Sequence, residues 1–183
     1  MKSLQGHLLI ASRDLADPNF HHAVVLIAQH SEEGALGLIL NRRSKVSVKQ
    51  VWDQISSAEC DDQRPLHLGG PCPGPLIAIH TRHFLGDEQI IEGVFYGADK
   101  EHLEQLVNEQ EDPVKFFAGY AGWGAGQLES ELKSGSWLTL PASPEHVFSD
   151  GDELWEHVVK ALGRSTLIST LKLKHVPDDP SLN

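Results

Sequence analysis

Short apolar runs and amphipathic stretches alternate along the chain. Continuous apolar runs at residues 8–11, 23–29 and 35–40 predict strands, and the loop between the last two, which Gly34 closes, predicts a β-hairpin. None of these runs alternates cleanly between apolar and polar positions. We therefore expect other parts of the protein to cover both faces of these strands.

Three further stretches have the apolar spacing of helices that rest on a core. Ser47 and Gln50 form a capping-box pattern that begins a short helix. Asp99 is well placed to cap a second helix. A third helix is predicted over residues 152–162, and Gly163 is predicted to end it.

The middle of the chain predicts short strands around stiff loops. Residues 66–68 and 76–80 have the composition of strands. The prolines between them, within residues 71–75, predict a loop without regular structure. Residues 90–95 are predicted to pair with the preceding strand across a hairpin turn at residues 86–87.

The stretch from residue 116 to residue 132 organises the rest of the chain. An apolar run enters it and an amphipathic segment leaves it, so we predict a strand, a sharp turn and a helix. Gly135 is predicted to end this helix, and residues 137–140 are predicted to form another strand. The stretch contains four glycines, which permit tight turns or close backbone approach: Gly119, Gly122, Gly124 and Gly126.

These strand, hairpin and helix patterns do not alternate as they do in a parallel α/β sheet. Their order predicts an α+β fold with largely antiparallel strands. At 183 residues, of which 40% are hydrophobic and 22% are charged, the chain can bury one well-packed core. We expect a single domain over residues 1–176 and a frayed C-terminal tail over residues 177–183.

The charge balance argues against a nucleic-acid partner. The chain has 15 lysines and arginines against 26 aspartates and glutamates, which gives a net charge of −11. Affinity for DNA or RNA comes largely from lysines and arginines that displace counterions. The basic clusters at residues 42–45 and 172–174 are short, and solvated loops explain them. We expect no direct binding to nucleic acid.

Cysteine usage and the N-terminal residues indicate a cytoplasmic protein. Cys60 and Cys72 form no CxxC pattern and provide no disulfide framework. The apolar run at residues 8–11 is too short for a secretory signal or a membrane span. The sequence does not define the oligomeric state.

The residues form no recognisable catalytic set. The glycine-rich turn matches neither phosphate-loop spacing, and the early glutamates of the following helix, Glu129 and Glu131, would repel a phosphate. Cys72 has no neighbouring cation in the sequence that would activate its thiol. We predict no catalytic residues.

Eleven histidines raise the question of a metal site. His80 and His83 form an HxxH pattern, but residues three apart in a strand point to opposite faces. The chain contains no HExxH motif and no cysteine pair at ligand spacing. We predict neither a metal nor a cofactor.

Several of these stretches together resemble the YqgE/AlgH family of small bacterial proteins, and they occur in the family's order. The resemblance implies a bifurcated β-sheet folded into a pseudo-barrel, with about four helices packed around it. The family carries a transcriptional-regulator label, and its biochemical activity is not established. Because His30 and His80 match the family pattern, the resemblance implies a buried polar network that links them to Asn41. The matching pieces are GHLLIA at 6–11, DPNF at 17–20, QH at 29–30, EGALGL at 33–38, NR at 41–42, GGP at 69–71, His80, GYAGWGAGQLESEL at 119–132 and WL at 137–138.

Two functional hypotheses follow. The first is a non-enzymatic binding or regulatory domain that acts through a protein partner, so that any effect on transcription is indirect. The second is a small-ligand domain, for example for a nucleotide, or an enzyme, with a pocket at the glycine-rich motif. The candidate binding residues are Asn41, Gly69, Gly70, Pro71, His80, Tyr120, Trp123 and Gln127.

Overall fold

The computed structural model describes residues 2–108, 112–149, 151 and 153–171, with side chains described as far as residue 163. This part of the chain contains ten strands, five α-helices and a 3₁₀ turn at His83–Leu85. The predicted tail at residues 177–183 lies outside the described residues. The strands are β1 (His7–Ala11), β2 (Val24–Ser31), β3 (Gly34–Ile39), β4 (Arg43–Ser47), β5 (Pro65–Leu68), β6 (Cys72–His80), β7 (Glu88–Ile91), β8 (Val94–Gly97), β9 (Val114–Gly124) and β10 (Trp137–Pro141). The helices are α1 (Val48–Ile55), α2 (Lys100–Asn108), α3 (Gln127–Lys133), α4 (Pro144–Phe148) and α5 (Leu154–Leu171).

The strands form one sheet with a fork. Its main path runs β10-β1-β2-β3-β9-β6-β8-β7, and neighbours along this path are antiparallel. Strand β4 pairs with β5, and β5 joins β9 in parallel. Strand β9 therefore belongs to both branches of the sheet, and the predicted strand at the glycine-rich stretch is confirmed as the centre of the fold.

The fork lies along one edge of β9. Phe117 and Ala118 pair with β5, whereas Ala121 to Gly124 pair with β3. Gly119 sits between the two segments with φ of +70°, and a Cβ there would lie 2.7 Å from the carbonyl oxygen of Cys72. Only glycine adopts this conformation in so little space, so Gly119 marks where the sheet divides.

The sheet curls until its far edge returns to β2. The Gln29 side chain of β2 donates a hydrogen bond to Glu88 of β7 at 2.8 Å. Ahead of β1, Gly6 packs against Ile90 and Ile91 of β7 so closely that a Cβ would lie 2.7 Å from the Ile91 side chain. The six strands from β2 to β7 along the main path thus form a half-barrel. The predicted α+β pseudo-barrel is confirmed.

Apolar side chains cover both faces of the central strands. In β1, Leu8 and Ile10 enter the core inside the half-barrel, while Leu9 and Ala11 enter a second core against α3 and β10. A third core packs α1 and α2 against β5, β6 and β9. These three cores account for the runs without polar alternation, and the expectation of covered strands is confirmed.

Local capping signals identify two helix starts correctly. Ser47 accepts a hydrogen bond from the Gln50 backbone, and the Gln50 side chain accepts one from the Ser47 backbone, which completes the predicted capping box of α1. Asp99 accepts hydrogen bonds from the backbones of Glu101 and His102 at the start of α2. These contacts depend on neighbours in sequence, which is why the sequence reveals them.

The prediction of a loop at residues 71–75 was wrong, because β6 begins at Cys72 and runs through the prolines. Strand β8 pairs only with residues 78–80 of β6, so within the described residues the proline-rich half has β9 on one side and no strand on the other. Proline lacks a backbone N–H and is tolerated where a strand has a free edge. The register also shifts between Cys72 and Leu76, which accommodates the irregular backbone.

Two other boundaries differ from prediction. The hairpin turn lies at residues 92–93, between β7 and β8, rather than at residues 86–87. The predicted pairing of residues 90–95 with the preceding strand is therefore shifted, because β8 pairs with β6 through residues 95–97. Helix α5 continues through Gly163 to Leu171, since a lone glycine lowers helix stability without ending the helix.

Candidate functional site

One end of the half-barrel contains a cavity of about 660 Å³ that opens to the solvent. Strands β2 and β9 end there, and β3, β6 and β7 begin there. The cavity is therefore the mouth of the half-barrel, a common position for binding sites. Gln29, Leu36, Cys72, Glu88, Tyr120 and Trp123 are among its lining residues.

Tyr120 lines the cavity, and its ring packs between two glycines. A Cβ at Gly74 of β6 would lie 3.1 Å from one edge of the Tyr120 ring, and a Cβ at Gly122 would lie 3.2 Å from the other edge. Both glycines therefore make room for the ring. Tyr120 also packs against the core inside the half-barrel, which supports the ring on the side away from the solvent.

Two amides hold the Glu88 carboxylate at the cavity wall. Gln5 donates to Oε1 and Gln29 donates to Oε2, each at 2.8 Å. Both donors are neutral, so they position the carboxylate without cancelling its charge. Glu33 lines the same cavity from the hairpin between β2 and β3.

His30 fastens the N-terminal segment beside the cavity. Its Nδ1 accepts a hydrogen bond from the Leu4 backbone at 2.9 Å, so the ring hydrogen lies on Nε2, which donates to Glu129 at 3.0 Å. The pKa of the Glu129 carboxyl is lowered, chiefly by a hydrogen bond from its own backbone N–H and further by His30. His30 is thus committed to structural hydrogen bonds on both ring nitrogens.

Trp123 and Gln127 belong to a hydrogen-bond network around Glu131. The Oε2 atom of Glu131 accepts from the indoles of Trp123 and Trp137 at 2.9 and 2.8 Å. Gln127 donates to Oε1 of the same carboxylate and accepts from the Gly124 backbone. This network fixes α3 to the end of β9 and so holds the Trp123 wall of the cavity in place.

Gly69, Gly70 and Pro71 do not share the Tyr120 cavity. A Cβ at Gly69 would lie 2.3 Å from the Gly119 carbonyl oxygen, and a Cβ at Gly70 would lie 2.3 Å from the Tyr120 carbonyl carbon. The two glycines are packed directly on the backbone of β9. The structure therefore does not bring this turn and the side chains of Tyr120, Trp123 and Gln127 together in one cavity, and a binding role for these residues stays a prediction.

Gly70 and Pro71 instead border a separate, smaller pocket of about 220 Å³. Pro18, Arg42 and the half-exposed Leu68 also line it. Segments far apart in the sequence therefore meet at this second pocket.

The predicted network of His30, His80 and Asn41 is also wrong. Asn41 ties the end of β3 to the turn before β2, because it accepts from the Val24 backbone and donates to the His22 carbonyl. His80 is fully buried in β6, and its Nδ1 accepts from the Arg82 backbone. Burial lowers the pKa of His80 below its ordinary value, although the charge of Asp87 partly opposes this effect.

Gln5, Gln29, Cys72 and Glu88 were missed as cavity residues. The sequence carries one relevant signal, since the apolar run of β2 becomes polar at Gln29, where the strand reaches the surface. The contacts with Glu88 join residues 59 and 83 positions apart, so no local pattern contains them. Among the described residues, no group of three or more His, Cys, Asp and Glu side chains could hold a metal ion.

A forked sheet curled into a half-barrel, with helices around it and an open cavity at its mouth, defines a small α+β protein of the pseudo-barrel class. A family model described as AlgH-like (DUF179) matches residues 8–166. A UPF0301 protein from Chlorobaculum tepidum is 43% identical over 167 residues, which cover 86% of each chain. The chain therefore belongs to the AlgH-like family.

Two solved structures share the fold. The solution structure of the AlgH protein from Pseudomonas aeruginosa superposes with a TM-score of 0.74 at 28% identity, covering 98% of this chain and all of the other. A crystal structure of a protein from Corynebacterium diphtheriae superposes with a TM-score of 0.68 at 26% identity over 88% of each chain. Among the described residues, no helix is both long enough and apolar enough to cross a membrane.

Proposed function

We propose that the chain is a non-enzymatic binding domain that acts through a protein partner, and that the partner docks at the mouth of the half-barrel. The observation that carries this proposal is the open cavity of about 660 Å³ at the ends of five strands. Its walls are fixed by hydrogen bonds before any partner arrives. Such preorganisation lowers the entropy cost of binding.

The polar groups at the mouth support binding rather than catalysis. His30 uses both ring nitrogens in structural hydrogen bonds, and the Glu88 oxygens each accept one from an amide. In the described part of the chain, Cys72 has no hydrogen bond to a histidine or a carboxylate that could activate its thiol. A cavity with fixed walls and no activated nucleophile is better suited to binding a partner than to catalysis.

The charge of the chain supports a protein partner over a nucleic acid. The net charge is −11, and the lining residues of the cavity include Glu33 and Glu88. A phosphate backbone would be repelled at this surface. Any influence on transcription would then be indirect and pass through the partner. We place both proteins in the bacterial cytoplasm.

The size of the cavity favours one alternative, a small-ligand domain. Pockets for small molecules commonly enclose about 300–1,000 Å³, and this cavity lies within that range. Native mass spectrometry of freshly purified protein distinguishes the two functions. A clean mass for one chain, or for a whole number of chains, favours the protein partner. A stoichiometric excess of a few hundred daltons would favour the small ligand.

Photo-crosslinking tests the partner directly. We would place p-benzoylphenylalanine at Ser31, an exposed and uncharged residue of the cavity lining, and at the exposed Gln105 on α2 as the control, in cells of the bacterium that encodes the chain. A discrete crosslinked protein from the Ser31 position, absent from the Gln105 position, is expected. Equal crosslinking from both positions, or from neither, would reject docking at the mouth.

A further inference from the structure

We propose that the cavity at the mouth of the half-barrel receives a positively charged side chain of the partner, an arginine or a lysine. This inference rests on the proposed function, and it adds the chemistry by which the partner is recognised. Three features of the cavity carry it: the sign of its charge, the fixed position of one carboxylate and an aromatic side chain on its wall.

Two carboxylates lie in the described lining of the cavity, and no basic side chain offsets them. They belong to Glu33 and Glu88, and no lysine or arginine is among the described residues that line it. A recess lined by charges of one sign attracts the opposite charge. An acidic or phosphorylated segment would meet two carboxylates without a compensating cation.

Glu88 is held in a fixed position for a charged hydrogen bond. The side-chain amides of Gln5 and Gln29 each occupy one acceptor site on its carboxylate. A carboxylate has about four acceptor sites, so each oxygen can still accept from a guanidinium or an ammonium group. Because Glu88 is already positioned, little side-chain entropy is lost when such a cation binds.

Tyr120 supplies an aromatic surface in the same recess. Its ring lies between Gly74 and Gly122 and lines the cavity. Cations, and the planar guanidinium of arginine above all, are attracted to the faces of aromatic rings. A carboxylate and an aromatic ring together recognise a cationic side chain better than a neutral polar one.

The test uses a pentapeptide with a central arginine, flanked by alanine and glycine and blocked at both ends. Its matched control carries citrulline, which has the shape of arginine without the charge. Each peptide is titrated into ¹⁵N-labelled protein, and amide shifts are followed. We expect the arginine peptide to shift Gly34, Leu36 and Gly122, and to bind at least tenfold more tightly than the citrulline peptide.

Variants localise the effect to the cavity. Glu88→Gln keeps the shape of the side chain and is expected to weaken the arginine peptide about tenfold, as is Glu33→Gln. The matched control is Glu92→Gln, which removes the same charge from the exposed turn after β7 and should change binding less than twofold. If Glu88→Gln disturbs the spectrum of the free protein, Glu33→Gln on the exposed hairpin decides the result.

Several results would overturn the inference. Equal binding of the arginine and citrulline peptides would do so, as would tighter binding of a glutamate peptide, or shifts that avoid the cavity. Agmatine, a free guanidinium compound, separates the sources of the cation. If agmatine bound as tightly as the peptide, the site would belong to a free cationic ligand and not to a partner.

The two proposals fail in different ways. Crosslinking from Ser31 to a partner segment without basic residues would keep the docking site and reject the charged side chain. Selective binding of the arginine peptide, with no protein crosslinked from Ser31, would keep the recognition chemistry and reject the protein partner.

Discussion

The Glu131 network allows a quantitative test of how the cavity wall is held. Replacement of Glu131 by alanine removes the acceptor shared by the indoles of Trp123 and Trp137 and the partner of Gln127. The two tryptophans are 5% and 3% exposed, so water reaches their N–H groups poorly. A buried donor left without a partner costs about 1–3 kcal/mol.

Two such donors give an expected loss of about 2–6 kcal/mol in the free energy of unfolding for Glu131→Ala. For a chain of this size, each kcal/mol lowers Tm by about 2–4 °C, so such a loss lowers Tm by roughly 4–24 °C. Glu131→Gln should cost less, about 1–2 kcal/mol, because its carbonyl oxygen can still accept from both indoles. Its amide would then face the amide of Gln127, and that hydrogen bond would be lost.

Urea unfolding followed by tryptophan fluorescence and by circular dichroism measures these losses. Glu156→Ala is the control, since Glu156 is an exposed glutamate on α5 that pairs only with the exposed Lys160 in the described part of the chain. This control should stay within about 0.5 kcal/mol of the unchanged protein. The reasoning is refuted if Glu131→Ala also stays within that margin.

Two further predictions concern buried sites and glycines. Burial lowers the pKa of His80, so the unfolded chain binds the proton more readily and the unfolding free energy should fall as pH drops below about 6.5. Chemical denaturation at pH 7.5 and at pH 5.5 measures this fall, which should be smaller in His80→Asn. An equal fall in the variant and the unchanged protein would contradict this account. Gly70→Ala should lower stability by more than about 3 kcal/mol, because its Cβ would meet backbone atoms of β9 that side-chain movement cannot displace. Gly163→Ala in α5 should raise stability by about 0.5–1 kcal/mol, because a Cβ there meets no described atom within 4 Å. Thermal melts of both variants should show Tm changes of opposite sign. An unchanged Tm in Gly70→Ala would show that the turn at Gly70 can move away from β9.

Sequence patterns anticipate the elements whose causes are local. The capping box at Ser47, the apolar run of β2 and the strand–turn–helix at β9 and α3 follow from neighbouring residues. Helix α4 escaped notice although Ser143 caps it and Pro144 occupies its first turn. Proline there is a helix-start signal, but it also ends other elements, so its meaning depends on the residue before it.

The site was less predictable than the fold because its parts come from distant strands. Tyr120 and Trp123 were identified as pocket residues and do line the cavity. Gly69 was placed in the same pocket, yet it packs on the backbone of β9. A glycine that makes room for a ligand and a glycine that makes room for a neighbouring strand look the same in sequence. The two kinds of glycine can be told apart only once the curled sheet shows what lies next to each of them.

The fork at β9 also determines when the sheet can be completed as the protein is made. Strand β3 is complete at Ile39, but its partner β9 starts at Val114, about 75 residues later. At about 5–20 residues per second, the ribosome needs roughly 4–15 seconds to cover that distance. Strands β5 and β6 also lack their β9 partner during this interval. Unpaired strand edges offer pairing sites to other chains, so the nascent chain is most prone to aggregation before β9 emerges.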